Sequence, residues 1–259
     1  AVEFARQLGD DRLLTESLTS LCFAYYWSGE PGRGLPFGEE SVGRARQLGD
    51  DVVLGRSLTG YLLSSHRIDP SRCERLYPEA IACTERSGDR LMNYTLHNNA
   101  GCHALMAGDV PAARAHLERA AKAGQAIGHS SQHVPVNLGW VMRQESDPDG
   151  ARSMFEAALR MARRNGDRSG LAYGSLGLAC LAADRGDWHR AGELHGTAQA
   201  FLDRTGERWE EPEVRYRQES LVKVRAQLGE EHFDRVYAQG STLNLEEALD
   251  VALGRAAPA

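Results

Sequence analysis

Lysine is nearly missing from this sequence. Of its 30 basic residues only Lys122 and Lys223 are lysine, and the rest are arginine. There is no GxxxxGK[ST] phosphate loop, so no nucleotide cradle of that kind can be assigned. A positive excess is missing too: 30 basic residues stand against 36 acidic ones, net −6, which leaves no basic footprint for nucleic acid. No apolar run approaches the roughly 18 residues of a membrane helix, and no signal peptide opens the chain. The five cysteines, Cys22, Cys73, Cys83, Cys102 and Cys180, are odd in number and lack CxxC spacing. They read as reduced core residues of a cytoplasmic protein. GxSxG, HExxH and Cys/His signatures are also absent, so an enzyme is not expected. The arginine bias, with abundant Ala and Gly, suits a GC-rich bacterial genome.

What the sequence does have is a repeat. Residues 91–128 read as two helices joined at Ala107-Gly108-Asp109. Leu91, Leu96, Ala100, Ala104 and Leu105 form one apolar face of the first helix. Gly108 can end that helix and Asp109 can cap the next, whose first turn tolerates Pro111. Ala113, Leu117, Ala120, Ala121 and Ala123 give the second helix a small-residue face. Gly9, Gly49, Gly88, Gly128, Gly166 and Gly206 then recur at separations of 40, 39, 40, 38 and 40 residues. A second series, Gly29-Glu30, Asp69-Pro70, Gly108-Asp109, Asp147-Pro148 and Gly186-Asp187, marks a turn inside each unit. Two turn series at one period predict a helical solenoid of about five hairpins.

Taken in order, residues 1–206 are expected to be the repeats. Residues 1–8, with Val2, Phe4, Ala5 and Leu8, read as the end of a unit whose beginning is missing, so a fragment is expected. The glycine-rich stretch 29–34 predicts a late start for the next helix. The fourth hairpin is placed at Ser130 to Asn165, and its second helix carries Ala151, Phe155, Ala158, Leu159 and Ala162. Residues 207–253 read as capping helices. In the first of them, acids at Glu210, Glu211 and Glu213 complement the helix dipole, and Tyr216, Leu221, Val224 and Leu228 form the apolar stripe. Residues 254–259 read as a frayed tail or linker.

The period, the words Asn99-Ala100-Gly101 and Asn137-Leu138-Gly139, and Gly-Asp followed by Ala113 or Ala191 resemble tetratricopeptide repeats. Units of 38 to 40 residues are longer than the usual 34 or so. Arg185 through Ala200, Leu228 through Asp234 and Gln239 through Ala248 narrow the likeness, across essentially the whole chain. They look like the end of large bacterial ATP-binding transcription regulators of the LuxR and SARP kinds. The resemblance implies an all-α fold: a right-handed superhelical solenoid of antiparallel helix hairpins with a C-terminal helical cap. It implies a non-catalytic segment for protein interaction or effector sensing, with an NTPase domain before it, and a LuxR-type helix-turn-helix can follow. It implies no cofactor and no direct contact with nucleic acid or membrane. Two other readings stand beside it: a free-standing adaptor binding a peptide in its concave groove, and a small-molecule receptor.

Counting from Gly60, Gly101 and Gly139, the inner groove of such a solenoid would be lined by Ser57, Tyr61, Asn98, His133, Asn137, Trp140 and Arg143. The alternative for Tyr61 and Trp140 is packing between helices. No Lys/Asn carboxylate-clamp pattern is present. Replacing Trp140 and Arg143 by Ala is expected to remove recognition without changing stability. His129 and His133 read as a pair on the first turn of a helix, with no third metal ligand at useful spacing. Neither His97/His103 nor His189/His195 shares a face, and the pairs Glu39-Glu40, Glu210-Glu211 and Glu230-Glu231 read as solvated.

Overall fold

The aspartates of the two turn series start the helices. Asp10, Asp50, Asp89 and Asp167 each accept a hydrogen bond from a backbone N–H two or three residues on, and so do Asp69, Asp109, Asp147 and Asp187. Each satisfies a donor that a helix start leaves without an intrahelical partner. The preceding glycines stop the helices: from Gly9 to Gly206 the inter-repeat series has φ between +65° and +75°. That left-handed conformation is open to Gly at little cost.

The computed structural model describes residues 1–66, 68–129, 131–243 and 245–253. The expected tail at 254–259 and the expected hairpin start at Ser130 lie outside them. Among the described residues there are fourteen α-helices and no strand. The N-terminal α1 is Val2–Leu8, and the hairpins follow as α2 (Asp11–Trp27) with α3 (Pro31–Leu48) and α4 (Asp51–Ser65) with α5 (Pro70–Ser87). Next come α6 (Arg90–Ala107) with α7 (Val110–Ala126), α8 (His133–Gln144) with α9 (Pro148–Asn165), and α10 (Arg168–Asp184) with α11 (Trp188–Asp203). The chain ends in α12 (Glu213–Leu228), α13 (Glu230–Thr242) and α14 (Leu245–Leu253).

Two compact units form: residues 1–107 with 115–129, and residues 108–114 with 130–259. In the first, α4 packs on α2, α3, α5 and α6, so successive hairpins stack as in a solenoid. Tyr61, Leu62, Cys73, Tyr77 and Leu96 are enclosed together there. Arginines tie one repeat to the next through Arg12–Asp50, Arg46–Glu79 and Arg56–Asp89, and Arg86–Asp51 joins the two helices of one hairpin. Arg46 and Arg86 are bidentate, which the planar guanidinium permits and an ammonium does not. This gives a physical use for the arginine bias.

In the second unit α10 packs on α8, α9, α11 and α12, while α13 and α14 pack on α11. Phe155, Ala158, Leu159 and Ala162 of α9 are fully buried, as their spacing predicts. The backbones of α11 and α13 meet closely. A methyl group built on Gly196 would strike the Tyr237 carbonyl oxygen, and one on Gly240 the Glu193 carbonyl oxygen.

Several expectations are corrected. The helix α3 starts at once, at Pro31, because its glycines serve packing and not a loop. A Cβ on Gly38 would lie 2.9 Å from the Cys22 Sγ and 3.2 Å from the Tyr61 ring. Leu91, Phe4 and Leu8 are exposed rather than on a buried face, and Ala121 is exposed too. Because α8 begins at His133, His129 lies outside that helix and the two do not form a first-turn pair. Instead His129 meets the Tyr94 ring edge at 4.6 Å.

Candidate functional site

Of the seven residues expected along a groove, Ser57, Tyr61, Asn137 and Trp140 are buried. In the first unit Ser57 is buried and shares a 2.9 Å hydrogen bond with Thr19. Tyr61 is core, with Arg72 stacked 4.9 Å over its ring, and half-buried Asn98 bonds Asn99. In the second unit His133 is exposed, Asn137 and Trp140 are buried, and Arg143 is held by Asp184 at 2.6 and 3.0 Å. The expectation fails at Ser57, Tyr61, Asn137 and Trp140 for one reason. Small and apolar residues run around most of the surface of α4, α8 and α10, and such a helix is buried on nearly every side.

Around Trp140 the covering element is α12. The Trp140 Nε1–H donates to the Glu213 carboxylate at 3.0 Å, and the Gln144 amide donates to the Tyr216 hydroxyl at 2.6 Å. Trp140 also meets Phe155 edge-on at 4.8 Å and Tyr216 at 4.6 Å. The Arg143 guanidinium lies 5.9 Å from both ring centres, Trp140 and Tyr216. So the face that a ligand was expected to use is occupied by the chain's own helix, through Glu213, Tyr216, Ser220 and Val224.

Glu213 is the chemically unusual member. Its carboxyl is pushed up to about 7, first by burial and then by repulsion from Glu210 and Glu211, against the hydrogen bonds it accepts. From sequence, Glu213 is expected only to complement the helix dipole. Its signal was the cluster of three acids, which does not reveal which one turns inward. Nearby, burial lowers His195 to about 3, and its Nε2 lies 2.8 Å from the Ser220 Oγ. This resembles a nucleophile–base pair, but both residues are buried and, among the described residues, the His195 Nδ1 has no hydrogen-bond partner to orient the ring. Burial also pushes the Cys180 thiol up to about 12, so it stays protonated.

In the first unit two histidines that no sequence spacing pairs come together: His97 and His116 approach Nδ1 to Nδ1 at 3.0 Å. Burial lowers His97 to about 4, and His116 adds to the shift, so the pair stays neutral at pH 7. Among the described residues no group of three or more His, Cys, Asp or Glu could hold a metal ion. Nor is any helix there long and apolar enough to cross a membrane.

The arrangement therefore can bind a proton near neutral pH and hold α12 in place. Among the described residues the protein is all-helical, with stacked hairpins in the first unit and, in the second, two hairpins on which α12, α13 and α14 pack. No known protein family matches the sequence, and a search of curated proteins finds no match either.

Proposed function

We propose that this chain recognises a partner or effector and catalyses nothing, as a tetratricopeptide-like segment of a bacterial transcriptional regulator or signal-transduction ATPase. On this reading it works in the cytoplasm as part of a longer chain, its repeats wind into a right-handed superhelix, and NTPase and DNA-binding domains flank it.

The observation that carries the reading is the double turn series, in which each aspartate caps a helix and the hairpins keep one period. A second observation supports it. The two stretches that most resemble the end of such regulators, 185–200 and 239–248, contribute Gly196 and Gly240 to one tight helix crossing. Residues that a family resemblance groups together thus also pack together.

The isolated chain tests the non-catalytic half of this proposal. It is expected neither to hydrolyse ATP above buffer nor to shift duplex DNA at physiological salt. Turnover, or a salt-dependent DNA complex, counts against it.

A further inference from the structure

One face of α12 remains open. Val214, Arg217, Gln218, Leu221, Val222 and Arg225 follow helical spacing on the side away from Trp140. With Trp209, Phe233 and Tyr237 they line an open groove of about 440 Å³. Its apolar part is partly exposed: Val222 is 63% and Val214 37% accessible.

The charge of the groove runs against that of the chain. The protein carries net −6, yet the groove is lined by two arginines and no acid. Arg217 pairs with no carboxylate among the described residues; it contacts the Tyr237 hydroxyl at 3.3 Å and lies 5.9 Å from the centre of the Trp209 ring. Its Nε is buried without a hydrogen-bond partner among the described residues. Arg225 stacks 4.6 Å over Phe233 and reaches Glu230 only at 4.0 Å, with both side chains well exposed. Two guanidiniums with no acid beside them in the groove, next to exposed aliphatic carbon, complement a surface that is apolar on one face and acidic at its flank.

We infer that this groove receives an amphipathic helix of a partner protein, apolar on one face and acidic along its flank. The inference deepens the recognition reading above and rests on it. Apolar side chains of the incoming helix cover Val214, Leu221 and Val222, while its carboxylates meet Arg217 and Arg225. The stripe from Val214 to Arg225 spans about 17 Å, the length of roughly three helical turns.

The test uses the full chain and two dye-labelled designed peptides of about 16 residues. Both carry a leucine stripe, one flanked by Glu and the other by Lys, and binding is read by fluorescence anisotropy. The Glu peptide is expected to bind at least tenfold more tightly than its Lys twin. Val222→Glu and Arg217→Gln should each weaken it tenfold or more. Val222→Glu alters an exposed residue and should leave circular dichroism and melting unchanged. Three results overturn the inference: equal binding of the two peptides or none, binding indifferent to Val222→Glu, or Val222-dependent binding to phosphatidylglycerol vesicles without peptide binding. If the groove fails while deleting the chain from its parent still abolishes the promoter response, only the groove assignment falls.

Discussion

Trp140 and Glu213, 73 residues apart in sequence, meet in the interior of the second unit through a 3.0 Å hydrogen bond. This contact fixes the first residue of α12 against α8 and puts a carboxyl where water cannot solvate its charge.

The first prediction concerns pH. Glu213 is raised from its ordinary 4.5 to about 7, so between those values the folded protein holds a proton that the unfolded chain has released. Its contribution to stability is therefore largest in acid and is lost as pH rises, by up to about 1.4 kcal/mol per pH unit within that window. The buried histidines His97 and His195, lowered to about 4 and about 3, act in the opposite sense as pH rises through 6.5. Comparing wild type with Glu213→Gln cancels them. The wild type should lose stability relative to the variant up to about pH 7 and then level off. Parallel curves for the two proteins would show that Glu213 does not titrate there.

The second concerns Trp140. Its side chain is fully enclosed, so Trp140→Ala leaves a cavity and should cost about 3–5 kcal/mol in chemical denaturation. The double change Trp140→Ala with Arg143→Ala, expected from sequence to spare stability, should instead destabilise strongly. A melting temperature within a degree or two of wild type would return Trp140 to the surface.

That reversal shows what the sequence could and could not reveal. Turn chemistry is local: Gly49-Asp50 needs only its own backbone and one side chain to stop one helix and cap the next, so the number of hairpins and most of their turns were legible. The facing of Trp140 depends on α12, which joins it from 73 positions away, and no periodicity within α8 announces that. Tyr61 was misplaced in the same way: α4 is nearly all apolar or small, so no polar stripe marks an outer face. Gly34, within the glycine-rich stretch 29–34, reads as a loop former because glycine signals turns and close packing equally.

The third prediction uses that ambiguity. Gly196→Ala or Gly240→Ala drives a methyl into a backbone carbonyl of the opposing helix and should cost about 2–3 kcal/mol or more. Gly43→Ala lies in the α3 interior with nothing within 4 Å of the new methyl, and should be neutral or gain up to about 1 kcal/mol. Equal effects at all three sites would show that helix propensity, and not close approach, governs them.

The fourth separates the ion pairs. Arg143–Asp184 is partly enclosed, with side chains 16% and 34% accessible, whereas Asp149 in the Arg185–Asp149 pair is 91% accessible. Double-mutant cycles should give the larger coupling at Arg143–Asp184, and the one less weakened by salt. A larger coupling at Arg185–Asp149 would contradict this.

The most direct test of the proposed function is the response of a promoter controlled by the parent regulator. With residues 1–259 deleted from that regulator, the account predicts that promoter DNA is still bound by the flanking domain while transcription no longer responds to partner or effector. An unchanged response after the deletion would contradict it.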